Sequence, residues 1–286
     1  MKAIKRILTI NIMLLAGVAL SAQTAHSLFW RADSLQVSEI VSETANQYNK
    51  IGHHGPAVEN SHMALRLYFN DTGAVDVYSK SGRGLELPQY KWYPTKGQQD
   101  SLRLGADGYI VGKTLGLGGI ALWDGEKEVK LEASEGRTAR AGATKKGSYA
   151  EMIAYGVPYA GRKVDISIRV DVTEKSREAT VTATALNGEK VCFVTGVNYH
   201  AGQKVAFGEG YISVWGPHPV KAQDESFPIG GGMLYSKKIF PKCEKTEDMV
   251  RIISKPVSQV KTTIVAASSK EAELNSARRF EAYIIK

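Results

Sequence analysis

The stretch VDISIRVDV, Val164–Val172, decides the fold. Successive side chains of an extended strand point to opposite faces, so Val164, Ile166, Ile168, Val170 and Val172 form an apolar face while Asp165, Ser167, Arg169 and Asp171 form a polar one. A strand buried on one side and wetted on the other belongs to an antiparallel sheet. The same period of two returns in MALRLYF, Met63–Phe69, where Met63, Leu65, Leu67 and Phe69 face a core. His62, Ala64, Arg66 and Tyr68 are then expected on a displayed face.

Further runs of this kind are AVDVYSK, GYIVGK, GGIALWD, KEVKLEA, EATVTATAL, KVCFVTGVNY, GYISVWG, GGGMLYS and MVRIISK, most of them separated by Gly, Pro, Asn or Asp. LNGEKV reads as a hairpin turn. Helical pattern is confined to EIVSETANQYNKI near the start and SSKEAELNSARRFEAYI at the end. The expected fold class is all-β, a large, mostly antiparallel sandwich or supersandwich with one or two short helices. Residues 23–286 are expected to form one β-sandwich domain, because sandwiches of roughly 200–250 residues commonly fold as a unit.

Residues 1–22 read as a signal peptide. Lys2, Lys5 and Arg6 precede the apolar run Ile7–Leu20, which ends in the small residues Ser21 and Ala22. That run is too short to span a bilayer, which needs roughly 20 apolar residues. The expected location is therefore periplasmic or secreted, without a membrane anchor. Removing residues 1–22 takes away three positive charges and no acids, so the formal charge falls from +8 to +5. That excess is compatible with acidic oligosaccharides, whereas nucleic acid would need a concentrated basic stripe, and KKIFPKCEK is too short to be one. Cys192 and Cys243 are the two cysteines. Two separate buried thiols are expected, although export permits a bridge.

His62, Arg66 and Tyr68, with Asp76, Tyr78 and Lys80 on the next strand, are ligand-type residues rather than ordinary surface polarity. Arginine forks to a carboxylate and tyrosine offers a stacking ring with a hydroxyl. The same set would also serve as a cross-strand polar network holding the sheet edge. In YKWYP, Tyr90–Pro94, Trp92 either stacks on a sugar or pins its loop to the core. GYIVGKTLGLGGIALWDG is not a nucleotide loop, since no helix follows its glycines, which instead suit tight turns. GHHG, His200 and His218 reproduce no helical or Cys/His zinc motif. No cofactor is identified, and a divalent metal held by distant histidines stays open. Tyr199 and His200 in NYHAG and His218 in WGPHP fall at a strand end and a turn, whereas His26 reads as part of a tail.

The phrases GHHGPAVEN, LRLYF, DVYSK, KWYPT, VGKTLGLGG, ALWDG, GVPYAGRKVDI, FVTGVNYH and WGPHP together resemble a secreted bacterial family called domain of unknown function 4861. The resemblance implies a supersandwich of the galactose-mutarotase type and action on oligosaccharides, especially unsaturated or uronate-containing ones. Other branches carry a His/Asp/Glu-rich stretch where this chain reads GQQDSLRL, while Asp107 and Tyr109 remain at matching positions.

The leading expectation is β-elimination on an acidic oligosaccharide, as a lyase or dehydratase. Arg66 would neutralise the substrate carboxylate, His62 or His200 would take the proton, and Tyr109 or Tyr199 would protonate the leaving oxygen. His53, His54, Tyr68, Tyr78, Trp92, Asp107 and His218 would bind substrate. One alternative is a glycoside hydrolase drawing two carboxyls from Glu59, Asp76, Asp107, Asp124 and Glu209. The other is a non-catalytic carbohydrate-binding protein. Nothing in the sequence selects an oligomeric state.

Overall fold

The alternation at Val164–Val172 is realised at the centre of the longest sheet. The computed structural model describes residues 24–90, 93–219 and 226–286, and among these it contains three antiparallel sheets and two short helices. The predicted signal peptide lies outside the described residues. The first sheet has four strands in the order β1 (Thr24–Ser27), β3 (Ala57–Asn60), β4 (Ala64–Leu67) and β5 (Val75–Tyr78). A nine-stranded sheet runs β13 (Lys204–Gly208), β14 (Tyr211–Pro217), β15 (Pro228–Leu234), β18 (Gln259–Ser268) and β11 (Ala179–Ala185), then β10 (Arg162–Thr173), β9 (Gly147–Tyr159), β8 (Arg137–Ala143) and β2 (Glu39–Ser42). The third sheet has five strands, β16 (Lys242–Lys245), β17 (Met249–Ile253), β12 (Phe193–Asn198), β6 (Ala121–Trp123) and β7 (Glu128–Val129).

Both smaller sheets bury their apolar faces against one side of the long one. Leu65 and Leu67, Ile166 and Ile168, and Val197 and Ile252 share a single core. On the opposite side, α2 (Ala277–Ile284) lays Phe280 and Ile284 over Trp215, Val265 and Ala267. Gly230 permits this approach, since a Cβ there would sit 2.9 Å from the Phe280 ring. In β10 the expected faces hold: Arg169 and Asp171 pair at 2.8 Å on the outer side, while Val164, Ile166, Ile168, Val170 and Val172 are buried.

Several expectations are corrected. Glu39–Ile51 is not a helix; its first four residues are β2, and burial of Ile40 and Ser42 against exposure of Glu39 and Val41 has the period of a strand. LNGEKV is not a hairpin turn, because the strands it joins, β11 and β12, lie in different sheets. His26 is not in a tail but pairs with Val58 in β1. GYIVGK forms no strand. The strands β8 and β9 went unread because β8 alternates Ala, Gly, Thr and Arg with little hydropathy contrast, while adjacent Met152 and Ile153 break the period of two in β9. The helix α1 (Lys96–Leu102) was also missed, although Thr95 and Gln98 form its capping box.

The largest correction concerns β4, whose second face is not displayed. Ala64 and Arg66 are buried beneath residues 81–90 and 93–107, which fold back across the four-stranded sheet. Buried polar groups fasten this segment. The Glu59 carboxylate accepts from the backbone N–H groups of Glu86 and Leu87 at 2.8 Å and is paired with Lys80. Glu86 in turn accepts from the Tyr78 hydroxyl at 2.6 Å and from the Gly105 N–H at 2.8 Å.

Candidate functional site

Beneath the segment the register of β4 and β5 sets Arg66 directly beside Asp76. The same guanidinium nitrogen, Nη2, donates to Asp76 and, at 2.5 Å, to Asp107, while Nη1 donates to the Tyr93 hydroxyl. Two carboxylate oxygens held by one nitrogen lie within about 5 Å of each other. Their environments differ: the Asp76 side chain is 1% exposed and that of Asp107 is 40% exposed. Burial, only partly offset by Arg66, raises Asp76 to about 6. Burial alone would weaken the charge of Arg66, but Asp107 and Asp76 outweigh it and hold the guanidinium firmly protonated.

Aromatic residues surround this ion cluster. The Tyr68 hydroxyl donates to Asp76 at 2.5 Å. His54 stacks on Tyr48 with centroids 4.0 Å apart, and both meet Tyr68 edge-on. Burial pushes Tyr68, Tyr93 and Tyr48 upward, so all three phenols stay protonated at neutral pH. His53 lies beneath, its ring 6.0 Å from that of Tyr93, and among the described residues neither of its nitrogens has a hydrogen-bond partner. Burial first, then the charge of Arg66, depresses it to about 3. His53, His54 and Tyr93 have φ of 55°, 63° and 88°, a left-handed backbone that is costly for residues other than glycine and tends to be kept at functional sites.

A second cluster stands a short distance along the chain. Ile110 is three residues beyond Asp107, so their Cα atoms are at most about 11 Å apart. The Ile110 N–H donates to Nδ1 of His218 at 3.0 Å, and its carbonyl accepts from Nε2 of His200 at 2.9 Å and from the Asn198 amide at 2.8 Å. Tyr109 donates to the other end of the Asn198 amide at 2.5 Å, and its ring lies 4.3 Å from that of His218. Burial, then the neighbouring His200, lowers His218 to about 3. The charge of Asp76 adds to the burial that raises Tyr109, which links the two clusters electrostatically.

Arg66, His53, His54, Tyr68 and Asp107 therefore gather in one cluster, and Tyr109, His200 and His218 in its neighbour. His62 does not join Arg66. It lies in the turn between β3 and β4, which Asn60 shapes by accepting from the N–H groups of His62 and Met63. From there its ring meets Arg83 at 2.8 Å, and Arg83 pairs with Glu273. Tyr199 points away to the Thr246 carbonyl at 2.5 Å, and Tyr78 is a buried tie to Glu86. Trp92 lies outside the described residues. Sequence reading missed Tyr48, Tyr93 and Asn198 as site residues. Tyr93 was visible in the aromatic cluster YKWYP, whereas nothing local marks the other two.

Of the five acids considered, Asp76 and Asp107 converge, but Glu59 is paired with Lys80, Glu209 with Lys237, and Asp124 caps the turn at Glu126 and Lys127. Among the described residues no three His, Cys, Asp or Glu side chains are grouped to hold a metal ion. Cys192 and Cys243 are free thiols, packed in different apolar clusters. Among the same residues no helix is long and apolar enough to cross a membrane.

The chain belongs to the family described as domain of unknown function (DUF4861), whose sequence profile matches residues 20–286. No curated protein matches it. Among solved structures it is similar to a 4-alpha-glucanotransferase from Thermococcus litoralis, at 10% identity and a TM-score of 0.35. That match covers 75% of this chain and 39% of the other, so the chain spans well under half the length of that enzyme.

Proposed function

We propose that the protein is an exported enzyme that acts on uronate-containing or unsaturated oligosaccharides by β-elimination, as a lyase or dehydratase. The observation that carries this reading is one exposed carboxylate, Asp107, held by a fully buried cation inside a ring of protonated phenols. Elimination beside a carboxylate needs a base for the α-proton, an acid for the leaving oxygen and a countercharge. Asp107, oriented by Arg66, is the base. Tyr93, whose oxygen accepts from Arg66 and whose proton is retained by burial, is the acid.

Arg66 is committed to two internal carboxylates and does not receive the substrate's own. The exposed Arg31, near enough to His54 to disfavour its charge, takes that part. The paired rings of Tyr48 and His54 offer a flat surface for a sugar. Hydrolysis by two carboxyls is less well supported, because both acids must flank the scissile bond and Asp76 is sealed from solvent.

The test is incubation with a panel of uronate oligosaccharides, followed by ultraviolet absorbance and product mass. A cleaved or water-lost product is expected, reduced on the order of 10²–10⁴-fold in Asp107→Asn. Binding without turnover across the panel would instead favour a carbohydrate-binding protein.

A further inference from the structure

The Ile110 peptide fixes the proton positions of two imidazoles at once. A carbonyl can only accept, so its 2.9 Å contact, shorter than the 3.4 Å approach of the Asn198 amide to the same nitrogen, puts the proton of neutral His200 on Nε2 and leaves Nδ1 as a lone pair. A backbone N–H can only donate, so His218 must accept on Nδ1 and carry its proton on Nε2. The rings meet edge to face with centroids 4.8 Å apart. Among the described residues, neither His200 Nδ1 nor His218 Nε2 has a hydrogen-bond partner; His200 is half-buried and His218 is 3% exposed.

We infer that His200 and His218 form a subsite for one sugar hydroxyl, which donates to His200 Nδ1 and accepts from His218 Nε2–H. The chemistry selects this ligand. A carboxylate only accepts and would meet the lone pair of His200, an ammonium only donates and would meet the N–H of His218, and a metal ion would need lone pairs from both. Among the groups of an acidic sugar the hydroxyl is the one that donates and accepts at a single atom, as does the water it would displace. An oxygen about 2.8 Å from each nitrogen can bridge a gap of up to about 5.6 Å, and rings with centroids 4.8 Å apart can present two nitrogens at such a separation. Asn198 and Tyr109 act as positioning residues, since they hold the Ile110 carbonyl and the His218 ring in place. The inference rests on the carbohydrate reading above, and the short separation from Asp107 puts the subsite within reach of the next sugar unit.

The test is nitrogen-15 NMR of histidine-labelled protein, titrated with a 4,5-unsaturated uronate disaccharide, with the neutral disaccharide cellobiose and with acetate. In the free protein both His200 and His218 are expected to be protonated on Nε2. The disaccharides, but not acetate, are expected to move the signals of His200 Nδ1 and His218 Nε2. His200→Phe and His218→Phe should each weaken disaccharide binding about 5- to 15-fold, the loss of one neutral hydrogen bond. Protonation on Nδ1 of either ring, absence of shifts with every saccharide, or unchanged affinity in both variants would overturn the subsite. Shifts without turnover would leave the subsite standing and remove the elimination reading, while turnover with unchanged affinity in both variants would do the reverse.

Discussion

At the scale of single residues, Arg66 illustrates how a buried ion changes what a substitution costs. Arg66→Met removes the cation that offsets the burial of Asp76 and breaks the buried pair, so a loss of about 3–5 kcal/mol is expected by chemical denaturation. The exposed Asp107 should lose little stability as Asn. Asp76 has a native pKa raised to about 6, above its unfolded value, so its protonated form is the one folding favours. Its contribution is fully present below about pH 4 and is lost as pH rises through 6. His53 works in the opposite sense. Its pKa, depressed to about 3, gives stability that is present above the unfolded value near 6.5 and lost as pH falls through 3. His53→Asn keeps a side chain that tolerates the left-handed backbone and should move the acid-unfolding midpoint to lower pH. A circular-dichroism titration that finds the midpoint unmoved would count against a neutral, buried imidazole. Residue types singled out Arg66 with His53, His54, His200 and His218, and the family resemblance pointed to Asp107, but none of this gave their protonation, which depends on what covers them.

At the scale of elements, α2 is held by two side chains rather than by its length. Phe280 is fully enclosed against β14 and β15, so Phe280→Ala is expected to cost about 3–5 kcal/mol through the cavity it leaves. Denaturant unfolding would register this as a lower midpoint at an unchanged slope. Strands with a polar and an apolar face, such as β10, could be read directly from their alternation. Those buried on both faces, such as β4, could not, because Arg66 in sequence looks the same whether water or residues 81–90 and 93–107 lie above it. The turn that carries His62 lies outside the alternation, because β4 begins at Ala64, two residues after His62, so period-two counting does not apply there.

At the scale of the whole molecule, three sheets share one core, and their free edges must resist pairing with other chains. The edge strand β16 carries Lys242 and Lys245, charges of the kind that blunt such edges. Replacing both with Ile is expected to produce self-association, seen as a shift in size-exclusion elution and light scattering, while the same change to Glu should leave the elution position unaltered. The all-β class and antiparallel character were legible because alternation is local. The assignment of strands to sheets was not, because residues brought side by side, such as Arg66 and Asp107, are set by how distant segments meet.

The fastening of residues 81–90 and 93–107 has a consequence for how this scaffold changes over time. The groups that grip the segment, Glu59, Tyr78 and Lys80 from the sheet and Glu86 from within the segment, are all buried. Its outward-facing residues are thereby released from any duty to the fold. On the carbohydrate function proposed above, substitutions there are expected to alter which sugar is accepted while foldability is preserved by the layer below, so new preferences can be acquired one residue at a time.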